Sequence, residues 1–238
     1  MKITREKGMI IRFANAAAAQ AYISRSSSRD WKGLVLHHTY RPTATQYLGT
    51  VTVETIRRYH MTEKRNAAGK VIKKAWSDIG YHLLVGPDGY IYGGRPMALA
   101  GAHVLAQLSG SPVPDPNRTM LGLCAIGDYD NEVPSPRLVR SLRIINEALM
   151  ERFGLGFKHF EHRQFQAKSC PGAMLWNFDW KGDEEMPAED NEDDVPDDWA
   201  ADAWKWAEDE GLMNGDEPRA PVTREMLAMV LKRFKELS

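Results

Sequence analysis

The chain has few cysteines, almost no net charge and no long apolar run, and each shortage excludes a class of protein. Two cysteines in 238 residues, Cys124 and Cys170, cannot staple a disulfide scaffold; they form one bridge at most, or are free thiols or metal ligands. No stretch approaches the roughly 18 consecutive apolar residues of a spanning helix, so no membrane insertion is expected. The basic start Met1-Lys2-Ile3-Thr4-Arg5 and the run Ala16 to Ala19 do not add up to a secretory signal, because Arg12 and Asn15 interrupt the apolar core. An amphipathic surface helix from about Ala14 to Ile23 is expected there instead. With 31 basic against 32 acidic side chains the formal net charge is −1, which argues against nucleic acid or any partner held by bulk charge.

That neutrality is an average over two unequal parts. Residues 1–180 carry 24 basic and 14 acidic groups, a net +10, whereas residues 181–238 carry 7 and 18, a net −11. The break is an acidic run from Asp183 to Asp198, in which ten of sixteen positions are Asp or Glu, with Pro187 and Pro196 among them. Such a run repels itself and buries nothing, so residues 181–198 read as a linker between a body, 1–180, and a terminal unit, 199–238.

Within the body, short apolar strands alternate with periodic helices, which predicts an α/β domain with a central mixed sheet flanked by helices. Gly33 to His38 and Leu121 to Ile126 read as strands. Tyr81 to Val85 and Tyr90 to Tyr92 flank the turn Gly86-Pro87-Asp88-Gly89 and predict a hairpin. Val53, Ile56 and His60 share a helical face. The clearest helix runs from Pro136 to about Phe153, capped by Ser135, striped by Leu138, Leu142, Ile145 and Leu149, and stopped by Gly154.

Seven histidines are present, and a count alone decides nothing. His162 precedes Cys170 by eight residues in a loop-like segment closed by Pro171-Gly172, and both are good zinc ligands. A third ligand would come from His37 or His38, which end the apolar run Leu34-Val35-Leu36. Three protein ligands with one open position is the arrangement of a catalytic zinc.

Four ordered blocks sharpen this: Leu34-Val35-Leu36-His37-His38-Thr39; Trp76-Ser77-Asp78-Ile79-Gly80-Tyr81-His82; Gly101-Ala102-His103; and His162 to Gly172. Through them the chain resembles, from about Gly33 to Trp176, the zinc-dependent N-acetylmuramoyl-L-alanine amidases, which include phage-type amidases and peptidoglycan recognition proteins. The resemblance implies Zn2+ on His37, His162 and Cys170, with Tyr81 and Lys168 as catalytic residues. It implies a substrate cleft containing His103, with His38 as a cleft or supporting residue and Arg95 as a candidate contact to an acidic substrate group. His60 and His82 are expected to be structural. Some bacterial relatives place a proton-shuttling glutamate where this chain has Cys124, which reads as a small apolar filler, so the general base is left open.

Residues 198–237, with Trp199-Ala200, Gly211-Leu212-Met213-Asn214-Gly215 and Val222-Thr223-Arg224-Glu225, resemble a single S-layer homology motif. The expectation is therefore a peptidoglycan-cleaving amidase, used as a phage or prophage endolysin made in the cytoplasm and acting on the wall after release. The terminal unit would bind secondary cell-wall polymers, dimerise or dock. The competing expectation is a non-catalytic peptidoglycan-recognition module.

Overall fold

The computed structural model describes residues 9–104 and 112–182, together with residues 203, 205 and 206. Contacts divide the chain into two units, Met1–Asp183 and Glu184–Ser238. Residues 183–198 of the expected linker and nearly all of the segment resembling an S-layer homology motif lie outside the described residues.

In chain order the first unit contains β1 (Ile11–Arg12), α1 (Ala16–Arg25), β2 (Gly33–His38), α2 (Thr50–Met61), β3 (Lys64–Arg65), β4 (Val71–Lys73), β5 (Leu83–Val85), β6 (Ile91–Gly93), α3 (Pro116–Thr119), β7 (Met120–Ala125), α4 (Pro136–Phe153) and β8 (Lys158–Glu161). Six strands form one mixed sheet in the order β1-β6-β5-β7-β2-β8, and β3 and β4 form a separate ribbon. The β5–β6 and β6–β1 pairs are antiparallel; β5, β7, β2 and β8 run parallel. No helix among the described residues is long and apolar enough to cross a membrane.

The strand β2 is buried at all six positions, so both faces of the sheet are covered. Successive side chains alternate between those faces. Leu34 and Leu36 join Leu83, Val85, Leu121, Leu123 and Ala125 in the main core, packed under α1 and α4. Val35 packs on the other face with Met120, Val104 and Phe165, and Cys124 and Leu84 pack there with Val53 and Ile56 of α2. The same parity puts His37 on that second face.

Local signals set the helices. Asn15 caps α1 by accepting the Ala18 N–H, so the helix begins after the position expected for it. It is amphipathic, as expected: Ala19, Tyr22 and Ile23 are buried on one face while Ala17, Ser24 and Arg25 are exposed. α4 has the bounds read from the sequence, with Ser135 Oγ accepting the Leu138 N–H at 3.1 Å and Gly154 just beyond its end. Ser135 also donates to the Pro87 carbonyl, tying the helix start to the β5–β6 turn. Ser135→Ala is expected to cost about 1 kcal/mol of stability, read as a lower urea midpoint at unchanged slope. An unchanged midpoint would show that the cap contributes nothing.

Candidate metal centre

Three chain segments meet on the second face of the sheet. β2 supplies His37, the turn after β8 supplies His162, and the loop that follows supplies Cys170. All three are buried, and one ligand atom from each lies within 4.8 Å of the others. The His37 and His162 rings are 4.3 Å apart, and Cys170 Sγ is 3.8 Å from His37 Nδ1. His162 Nε2 is buried with no hydrogen-bond partner, an arrangement a protein interior rarely tolerates unless a ligand completes it. Two imidazole nitrogens and a thiol are the donor set of a tetrahedral zinc site with one position free, so the residues fit that ion.

Backbone geometry holds the cysteine in place. The His38 N–H donates to Cys170 Sγ at 3.4 Å, and the Arg163 N–H donates to the Cys170 carbonyl at 2.7 Å. Asp130 clamps both sides of the loop, accepting from Ser169 Oγ and from the Ala173 N–H. Gly172 adopts φ +98° in the same loop, where a Cβ would meet the Tyr129 carbonyl carbon at 2.4 Å.

Electrostatics follow from burial. His162 is pushed down to about 4, chiefly by burial and then by the Lys168 ammonium. Burial lowers His37 well below the usual imidazole range and raises the Cys170 thiol to about 12. Lys168 itself is exposed, yet its charge bears on all three candidate ligands. The Tyr81 ring lies 5.1 Å from His37. Burial, and then the neighbouring Cys124 and Cys170 sulfurs, hold its hydroxyl well above the ordinary phenol range. Cys124 is buried in an apolar cluster against which Tyr81 packs, so it does more than fill the strand. Nothing in a cysteine within an apolar strand announced that contact.

Arg95 and His103 are placed differently from the substrate contacts expected of them, whereas His38 takes the supporting one of its two expected places. Arg95 is buried and each of its three nitrogens donates to a backbone carbonyl: Nε to Ile79 at 2.7 Å, Nη1 to Ala100 at 3.2 Å and Nη2 to Asp78 at 3.1 Å. It fastens a loop: three of its five N–H groups are held by these carbonyls and the side chain is buried, which removes it from an open cleft. His103 is buried behind His37, its Nδ1 3.0 Å from His37 Nε2 and its Nε2 3.1 Å from the Met120 carbonyl. It does not line an open cleft. His38 is also buried, and its Nδ1 accepts the Tyr129 N–H at 3.1 Å. His38, Asp128 and Asp130 form a second close group. Because Nδ1 of His38 accepts, Nε2 carries the proton, and neither nitrogen offers a metal a lone pair.

His60 and His82 are structural, as expected. His60 stacks on Trp76 at 4.5 Å and its Nδ1 accepts the Gly80 N–H; His82 accepts from Gly122 and donates to Leu99. Burial pushes them down to about 4 and about 3, below the unfolded value of 6.5. Both stay neutral in the fold, whereas the unfolded chain protonates them. Their contribution to stability is therefore complete above pH 6.5 and is lost as pH falls towards 4. Each costs at most about 1.4 kcal/mol per pH unit in that window. The urea midpoint of the metal-free protein should therefore fall as pH drops from 6.5 towards about 4. A flat profile would contradict neutral burial.

The model of the N-acetylmuramoyl-L-alanine amidase family matches residues 27–173. The N-acetylmuramoyl-L-alanine amidase of Sus scrofa is 32% identical over 151 residues, which cover 61% of this chain and 22% of that protein. Peptidoglycan-recognition protein SC1a of Drosophila melanogaster is 28% identical over 148 residues, covering 60% of this chain and 69% of that one. The match thus spans about a fifth of the length of the mammalian relatives. Among solved structures, bumblebee PGRP-SA aligns over 74% of this chain and 92% of its own at 20% identity, with a TM-score of 0.50, a likeness of fold. With the matched span covering more than half of its residues, the chain belongs to the N-acetylmuramoyl-L-alanine amidase family.

Proposed function

We propose that the protein hydrolyses the amide between N-acetylmuramic acid and the L-alanine of the peptidoglycan stem peptide, with zinc on His37, His162 and Cys170. The observation that carries this is the buried trio of two imidazoles and a thiol, one of whose nitrogens, His162 Nε2, has no other partner. Zinc held there supplies an activated water near neutral pH and polarises the scissile carbonyl.

The chain's own residues do the rest. His37 and His162, kept neutral by burial, present lone pairs instead of protons. Cys170 gives up its proton on metal binding, so zinc affinity should rise with pH, and the His38 N–H stabilises the thiolate that results. Lys168 places an exposed cation near the three ligands, suited to the charge that develops on the carbonyl oxygen. Tyr81, held protonated by burial, acts as a hydrogen-bond donor to the same oxygen rather than as a base.

The intact ligand trio, with Tyr81 and Lys168 beside it, supports catalysis over recognition alone, since a binder has no need of an open metal position. The finer reading is a phage or prophage endolysin acting on the wall after release from the cytoplasm, its terminal unit holding secondary wall polymers. A net +10 on residues 1–180 suits a wall rich in phosphate. Zinc analysis with mass spectrometry of digested peptidoglycan tests the central claim: free stem peptides beginning at L-alanine are expected. New reducing sugar ends would indicate a glycosidase, and intact glycan-linked peptides a recognition module. Binding of residues 1–180 to isolated walls as tightly as the full chain would sink the targeting role of the terminal unit.

A further inference from the structure

His103 occupies a built cradle. Its ring sits against two glycines: a Cβ on Gly101 would meet His103 Cδ2 at 2.5 Å, and one on Gly122 would meet it at 2.7 Å. Gly122 belongs to β7, opposite Val35 of β2, where a side chain on the second face would fill the space that the imidazole takes. Asn117 fixes the backbone, its Oδ1 accepting from the His103 N–H at 2.9 Å and the Val104 N–H at 3.1 Å while its amide donates to the Val104 carbonyl. The Gly101 N–H donates to the Asn117 carbonyl at 2.7 Å. The two glycines thus make room for the imidazole, and Asn117 holds the backbone that carries it.

The hydrogen-bond directions in this cradle are determined from one end. A carbonyl oxygen only accepts, so the proton between Met120 and His103 belongs to His103 Nε2. A neutral imidazole carries one proton, which leaves His103 Nδ1 bare. His37 Nε2, 3.0 Å away, must then be the donor, and Nδ1 of His37 is left bare in its turn. That nitrogen is the one 3.8 Å from Cys170 Sγ.

We propose that His103 is a positioning residue for the metal centre: by accepting the His37 Nε2 proton while donating its own to the Met120 carbonyl, it orients His37 and keeps Nδ1 as the ligating nitrogen. The proposal rests on the zinc reading above and replaces a substrate contact for His103 with a role behind the ligand. A histidine ligand held through its second nitrogen loses about 10- to 100-fold in metal affinity when that partner is removed.

The test uses the full chain in three forms: wild type, His103→Leu, which removes the acceptor, and His103→Asn, which keeps an oxygen near the Nδ1 position. Zinc affinity is measured by competition with a chelator, and metal-free stability by urea. The Leu variant should lose about 10- to 100-fold in zinc affinity and the Asn variant markedly less, although both lose the bond to Met120 and should lose comparable stability. Equal zinc affinity in wild type and Leu variant would overturn the proposal, as would an Asn variant that falls as far as Leu. Should either variant fail to fold, imidazole nitrogen-15 shifts of the metal-free wild type still decide. Protons on Nε2 of both His37 and His103 are expected, and a proton on Nδ1 of His103 overturns the relay. A wild type that takes up no zinc would refute the metal centre instead, and the nitrogen shifts report on the relay separately.

Discussion

Cys170→Ala should strip the metal and abolish amide hydrolysis in one step. The thiol is one of three donors, and two imidazoles alone do not hold zinc against the water and buffer around it. Its sulfur also receives the His38 N–H at 3.4 Å and faces His37 Nδ1, so removal opens the centre of the cluster rather than its edge. The fold should survive, because the loop is held by backbone bonds and by Asp130, and these do not use the sulfur. The expected result is a folded protein with zinc below stoichiometry and no release of stem peptides. A variant that keeps one zinc per chain and full turnover would refute the ligand assignment.

Lys168→Ala should separate chemistry from metal binding. Lys168 donates no ligand, so zinc content should stay at one per chain, whereas kcat should fall by about 100- to 1000-fold, the usual cost of removing one preorganised donor to a developing oxyanion. The measurement is kcat against zinc content in the same preparation. Unchanged kcat would place the oxyanion elsewhere; lost zinc would make Lys168 part of the metal scaffold.

What was readable in the residues divides by range. α4 was legible because its cap, its first-turn proline, its stripe and its stop are all local signals within about 20 residues. The site trio was legible through motif blocks that carry chemistry in side chains of unusual type at fixed spacing. Arg95 and His103 were misplaced for one shared reason. Both are polar residues in sequence contexts that look accessible, and only the packing of distant carbonyls around them, those of Asp78, Ile79 and Ala100 for Arg95 and that of Met120 for His103, removes them from solvent. A backbone carbonyl has no signature in a sequence.

By itself, then, the sequence determined an α/β body with a family pattern, three candidate ligands, and a division of charge between body and tail. Tertiary structure decided which nitrogen of His37 is free, why Cys124 matters to Tyr81, and what Asp130 holds. Strand parity placed His37 on the second face, but the neighbours there depend on which strands pair and in what register. The parallel β2–β7 pairing sets Gly122 beside Val35 and so opens the space for His103. Local patterns fix elements because their forces act over a few residues; the proton arrangement of a metal site depends on groups more than 60 positions apart, which only the completed sheet brings within hydrogen-bonding distance.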